Sequence, residues 1–354
     1  MRHYFPSLNA LRFYAAISIV IGHIYGYSGQ FEPNRIFGMW LEPFLMSGTD
    51  AVTLFFVLSG FLITTILLNE QIENGTINVR SFYLRRARRI LPLYILATVL
   101  SFAAAPILSP LYGRHYDLLG LLSTVMLSGH IGLAFGMIGL TGHFWSIGIE
   151  EWFYATIPNL LKRWRVPIIV AAVFIARYSL ILVTAPDALT ERYNLSPWED
   201  LLIFSRFDAM ALGALAAWFF KKRHPVLKLI YKLESLTVVL MLILIALPVA
   251  DMGGALYDTV VAIISMSLIL NVSTNPHTWV KLEHPLINAL GQRSYGLYML
   301  HPIVTFILSP LFPNNVLLLV LIPLTTIATA SLSYRYLEQP FLKPPLAERI
   351  SNTT

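Results

Sequence analysis

Ten apolar stretches, each about as long as a bilayer is thick, run along this 354-residue chain. A helix rises 1.5 Å per residue, so about 20 mostly apolar residues cross the hydrocarbon core. The stretches are 8–28, 50–69, 90–108, 144–161, 166–184, 201–220, 234–250, 256–271, 288–310 and 315–337. The expected fold class is therefore an all-α polytopic integral membrane protein of about ten transmembrane helices. Composition agrees: 56% of residues are hydrophobic and 12% charged, about half the charge of an ordinary soluble domain. That balance excludes a pair of soluble domains and a disordered chain. Cysteine is absent, which removes disulfides, thiolate metal sites and a cysteine acyl-enzyme.

The basic residues predict the orientation. With the N-terminus in the cytosol, cytosolic segments hold 17 of the 25 Lys and Arg residues, and outer loops hold only Arg35, Arg114 and Arg192. This positive-inside bias requires that 118–138, which is apolar but rich in Gly and Ser, be a re-entrant or interfacial helix. Counted as a span, it would turn every later basic cluster outward. Both termini are expected in the cytosol. A single transmembrane domain is expected over 1–345, with a short cytosolic tail over 346–354. The first stretch is too long for a cleaved signal and carries Arg12. A net charge of +6 is thus a statement about topology, not about nucleic acid.

Polar groups inside spans are costly, a charged side chain at the bilayer centre costing at least about 2.5–3.5 kcal/mol. They are therefore the functional candidates. Arg12 and His23 are eleven residues apart, close to three turns, and so share one face of the first helix. Arg12 falls near the cytosolic edge, where it could simply snorkel to headgroups. His23 lies past the midplane and could be a hydrogen-bonded packing residue. The run RRARR at 85–89 precedes the third span. Arg85, Arg86, Arg88 and Arg89 could anchor the helix on anionic lipid or clamp phosphates with their planar forks; the two are compatible. The fourth span begins GHFWSIGIEEWFY. Ser146 and Glu150 share a face there, Trp145 sits at the outer interface, and Glu150 is either a structural acceptor or part of a site. Arg206 and Asp208 open the sixth span, SYGLYMLH places Tyr298 and His301 in the ninth, and Arg335 and Glu338 are read as a local ion pair. No zincin, Walker, dinucleotide or nucleophile-elbow motif is present, and no cluster has metal-ligand spacing.

Seven motifs, in order along nearly the whole chain, resemble acyltransferase family 3, the bacterial integral-membrane acyltransferases. They are the Arg12-x10-His23 pair, FFVLSGFLIT at 55–64, FYLRRARRILPLY, GHFWSIGIEEWFY, RFDAMALGAL with SYGLYMLH, and YLEQPF. One departure is Thr53, where many members carry Asp; Asp50 is nearby. The resemblance implies transfer of an acetyl or longer acyl group from acyl-CoA to a hydroxyl of an extracytoplasmic or lipid-linked glycan, such as O-antigen, other lipopolysaccharide or exopolysaccharide. It also implies a multi-pass protein of the bacterial cytoplasmic (inner) membrane, in a stand-alone form without a fused esterase-like domain. The family's catalytic histidine corresponds to His23.

On that basis acetyl-CoA is the expected donor substrate, with no tightly bound cofactor and no metal. Arg85, Arg86, Arg88, Arg89 and Arg12 are expected to meet its phosphates. His23 would act as base or acyl carrier, oriented by Glu150, with Ser146 and Arg12 completing the catalytic set. Trp145, Arg206, Asp208, Tyr298 and His301 would form the acceptor site. A secondary transporter or flippase for a glycan or small anionic metabolite is the alternative, because ten helices with buried charges suit that class too.

Overall fold

The computed structural model describes residues 5–27, 44–112, 118–136, 141–191, 196–246, 253–312 and 317–342. Regular structure among them is entirely helical, as the hydropathy predicts. The expected tail and the basic residues Arg2, Arg35, Arg114, Arg192, Lys343 and Arg349 lie outside the described residues.

Among the described residues, seven segments are long and apolar enough to cross a membrane: Ser7–Ile24, Gly48–Asn74, Val79–Ala104, Val166–Thr184, Pro197–Lys222, Gly254–Thr274 and Leu318–Leu342. An eighth is the pair Val226–Lys232 and Glu234–Ala246 if their 62° bend belongs to one span. Ten spans were expected. The two that fall short, 144–161 and 288–310, are helical nonetheless, over Trp145–Arg163 and over Pro285–Gln292 and Ser294–Leu311. The first carries Glu150, Glu151, Lys162 and Arg163, and the second is diluted by Ser294, Tyr295, Tyr298 and His301. Both of these helices carry candidate site residues. The segment 118–138 contains two short helices, Leu118–Val125 and Gly129–Ala134. The chain turns between them at Leu127, φ 55°, and at 8 and 6 residues neither reaches across a bilayer.

In chain order we call the helices that position the site α1 (Ser7–Tyr27), α2 (Gly48–Asn74), α3 (Val79–Tyr112), α4 (Leu118–Val125), α5 (Gly129–Ala134), α6 (Trp145–Arg163), α7 (Val166–Thr184), α8 (Pro197–Phe204) and α9 (Phe207–Lys222). After two short helices, α10 (Val226–Lys232) and α11 (Glu234–Ala246), come α12 (Gly254–Thr274), α13 (Pro285–Gln292), α14 (Ser294–Leu311) and α15 (Leu318–Ser333).

Helix α2 is the centre of the bundle. It begins where the Ser47 hydroxyl accepts the Asp50 backbone N–H (3.1 Å), a normal N-cap, and ends at Gly75 in the left-handed region, φ 71°. Its most apolar window is 72% buried, against 28% for α7. α7 instead turns Ile168, Ile175, Leu182 and Val183 outward, as a helix facing lipid does. α2 and α9 pack backbone against backbone. A Cβ on Gly60 would fall inside the Met210 carbonyl, and one on Gly213 inside the Val57 carbonyl. Small residues allow such close approach between membrane helices.

Candidate active site

A cavity of about 110 Å³ lies between α1, α2, α3, α6 and α14. Arg12, Arg86, Arg89, Glu150 and Tyr154 line one part of it, and Ser146 and Tyr298 another. The polar wall follows from helical spacing. Arg86 and Arg89 are one turn apart on α3, and Ser146 and Glu150 one turn apart on α6. Glu150 accepts a hydrogen bond from the Ser59 hydroxyl of α2 (2.6 Å) and lies within electrostatic reach of Arg86 and Arg12. The Arg86 guanidinium also rests over the Tyr154 ring, 5.4 Å from its centroid. Three guanidinium groups therefore share a pocket with one carboxylate, an arrangement suited to an anion.

The RRARR run is divided by its own helix. Arg86 and Arg89 turn into the cavity. Arg85 stands outside, paired with Glu70 (3.1 Å), on the wall of a larger open cleft that Arg86 also borders. Of the two possible Arg-x-x-Arg pairs, 86/89 is the one that faces inward. Arg88, half-buried, lines neither space.

Beyond Tyr298 the polar path continues to two histidines. The Tyr298 hydroxyl donates to the His143 carbonyl (2.6 Å), so the Ser146 hydroxyl is the donor in their 2.7 Å contact. One turn further along α14, His301 is fully buried. Its Nδ1 lies 2.7 Å from the Tyr298 carbonyl and 3.2 Å from that of Leu297. Its Nε2 is 2.6 Å from Nδ1 of His23 on α1, with the ring centroids 4.9 Å apart and the planes 28° from parallel. The His143 ring stands 5.5 Å from that of His301. Among the described residues no group of His, Asp and Glu has metal-binding geometry.

Glu150 was expected beside the His23 imidazole; its hydrogen-bond partners are instead Ser59 and Tyr154, and His23 meets His301. Arg206 and Asp208 were expected to face an acceptor. Both are buried, at 0% and 1% exposure. Arg206 pairs with Asp258 of α12 (3.1 Å) and donates to the Thr53 hydroxyl (2.6 Å) and the Thr49 carbonyl (2.9 Å). Asp208 pairs with Arg177 of α7 and accepts from Thr259 (2.7 Å). These pairs tie α7, α9, α12 and α2 together. The Thr53 hydroxyl accepts from Arg206, whose carboxylate partner is Asp258. Asp50 accepts instead from Tyr257 (3.1 Å). Trp145 packs between Phe56 (5.9 Å) and Phe204 (4.8 Å), with the Arg206 guanidinium 5.7 Å from its ring. The local ion pair expected of Arg335 and Glu338 does not form. Residues Tyr334–Glu338 make a π-turn, which widens the helical spacing. Glu338 accepts from Ser333 (3.2 Å) and Arg335 lies over Tyr336.

The sequence profile for acyltransferase family 3, described as an acyltransferase domain, matches residues 5–335. The chain belongs to acyltransferase family 3. Its similarity to curated members spans nearly its whole length. A protein of Staphylococcus aureus (strain COL), provisionally named an O-acetyltransferase, is 28% identical over 96% of this chain and 58% of its own. The peptidoglycan O-acetyltransferase OatA of Listeria monocytogenes serovar 1/2a is 27% identical over 97% of this chain and 56% of its own. The O-acetyltransferase OatA of Staphylococcus aureus (strain NCTC 8325 / PS 47) is 27% identical over 96% and 57%. This chain thus spans a little over half the length of those relatives. No solved structure matches it. Within this family member, the residues that sequence reasoning missed are Ser59, Tyr154 and His143. Ser59 was visible as the one hydroxyl in the apolar run FFVLSGFL, and His143 as the residue before FW in the α6 motif.

Proposed function

We propose that this protein moves an acetyl group from cytosolic acetyl-CoA to a hydroxyl of an extracytoplasmic or lipid-linked glycan, in the bacterial cytoplasmic membrane, with His23 as the reacting group. The observation that carries this reading is an arginine-lined cavity whose Tyr298 wall stands one helical turn from the His23–His301 pair. The O-acetyltransferase names of the relatives support the reaction, and the peptidoglycan named for one of them supports a glycan acceptor.

In this reading Arg86, Arg89 and Arg12 receive donor phosphates, because guanidinium forks match phosphate oxygens in pairs. The slender pantetheine arm enters the cavity while the charged nucleotide stays near water, since only the thioester end is cheap to bury. Glu150, held by Ser59, keeps the arginines apart and turned inward. His23 then takes the proton of the acceptor hydroxyl as that oxygen attacks the thioester carbon, or first accepts the acetyl group itself.

Purified protein incubated with radiolabelled acetyl-CoA and crude cell-envelope glycan tests this. The expected result is label in glycan that mild base releases, and its loss in His23→Ala. Unlabelled glycan with the wild-type protein, or full labelling with His23→Ala, would overturn it.

A further inference from the structure

We infer that His301 is the positioning residue for His23, fixing its tautomer so that Nε2 is the reacting nitrogen. The inference rests on the reading that transfer runs through His23. It begins with the carbonyls of α14. The Nδ1 atom of His301 lies 2.7 Å from the Tyr298 carbonyl and 3.2 Å from the Leu297 carbonyl. Carbonyl oxygens only accept, so Nδ1 of His301 carries a proton. The ring is fully buried, and its described contacts are two carbonyls, two histidine rings and Tyr298, none of them a carboxylate. A cationic ring there would be a buried charge without a counter-ion, which is costly. His301 is therefore neutral, and its Nε2 is an acceptor.

The partner at 2.6 Å, Nδ1 of His23, must then be the donor. A neutral imidazole with its proton on Nδ1 has its basic lone pair on Nε2. Two backbone carbonyls of α14 thus determine, through one intervening ring, which nitrogen of His23 reacts. The logic is that of an orienting group behind a catalytic histidine, with a neutral imidazole in place of the carboxylate. As base, Nε2 takes the acceptor hydroxyl's proton while its oxygen bonds to the thioester carbon. The CoA thiolate leaves and takes that proton back from Nε2. Through both steps Nδ1–H stays bonded to His301, which stabilises the transient imidazolium. If Nε2 attacks the thioester carbon instead, the CoA thiolate leaves; the Nδ1 proton of the resulting acyl-imidazolium has an acceptor in His301 Nε2, and the acceptor hydroxyl then takes the acetyl group from Nε2 and gives its proton to the thiolate.

Two substitutions separate positioning from packing. In His301→Gln the amide oxygen lies near the place of Nε2 and can still accept from His23. In His301→Asn the shorter amide reaches the backbone carbonyls but not His23. His301→Asn is expected to lower kcat about 100-fold with KM for acetyl-CoA unchanged, and His301→Gln to restore most of it. A near wild-type kcat for His301→Asn, or equal losses in both variants, would overturn the assignment. A second readout is independent of activity: nitrogen NMR of full-length protein labelled with ¹⁵N-histidine, with the His23 signals identified by their loss in His23→Gln. The expected lone-pair nitrogen of His23 is Nε2 in the wild type and in His301→Gln, and a mixture in His301→Asn. A wild-type His23 carrying its proton on Nε2 would overturn the assignment. Correct NMR tautomers without any acetyl transfer would leave the dyad standing and remove the acetyltransferase reading instead.

Discussion

Among single residues, the division of the RRARR run has the clearest consequence. Arg86 and Arg89 line the cavity, whereas Arg85 faces Glu70 outside it. Changing Arg86 and Arg89 together to Ala should raise the KM for acetyl-CoA at least about tenfold, the scale of one or more lost charge-assisted contacts, and leave the acceptor KM unchanged. Steady-state kinetics with each substrate varied in turn checks this. Arg85→Ala should alter donor KM by less than about fivefold, because an exposed ion pair contributes at most about 1 kcal/mol. The sequence placed all four arginines together; it could not tell which pair turns inward, because any i, i+3 pair on a helix shares a face. Glu150 is a second instance. Its presence in a span marked it as a site residue, but its partner Ser59 comes from α2, ninety-one residues away in sequence.

Between elements, the packing of α2 on α9 determines whether the site exists. Gly60 and Gly213 let the two backbones meet, and α2 then presents Ser59 to Glu150 and Thr53 to Arg206. A side chain at 213 must push α9 away from α2, an overpacking strain of about 1–3 kcal/mol or more. Gly213→Leu should therefore lower the melting temperature of the detergent-solubilised protein by several degrees and reduce transfer. Gly48→Ala, with nothing near the added carbon, should change neither; a thermal melt compares them. The helices themselves were legible from hydropathy: each of the ten expected spans overlaps a helix or a pair of broken helices. What hydropathy misjudged was continuity. The span read over 288–310 divides at Arg293 into Pro285–Gln292 and Ser294–Leu311.

At the scale of the molecule, the absence of cysteine makes the topology directly testable. Asn74, at the end of α2, and Lys222, at the end of α9, are exposed, as is Thr190 after α7. If the basic clusters lie in the cytosol, a membrane-impermeant maleimide applied to whole cells should label Thr190→Cys. It should leave Asn74→Cys and Lys222→Cys unlabelled until the membrane is opened. The reverse pattern would invert the orientation and move the arginine cavity's nearer mouth outside.

The sequence by itself determined the helical membrane class, the family, and the short set of polar residues that a bilayer does not tolerate without reason. The class and the polar set follow from local quantities: hydropathy over about 20 residues, the spacing of a helical turn, and the cost of charge in hydrocarbon; the family follows from the order of the motifs. Only the tertiary structure decided which of those residues meet. It joined His23 to His301 across 278 positions, withdrew Arg206 and Asp208 into buried ion pairs, and gave Glu150 to Ser59. Pairing between helices depends on how their surfaces fit, and a single chain's pattern fixes each helix's faces without fixing the neighbours those faces find.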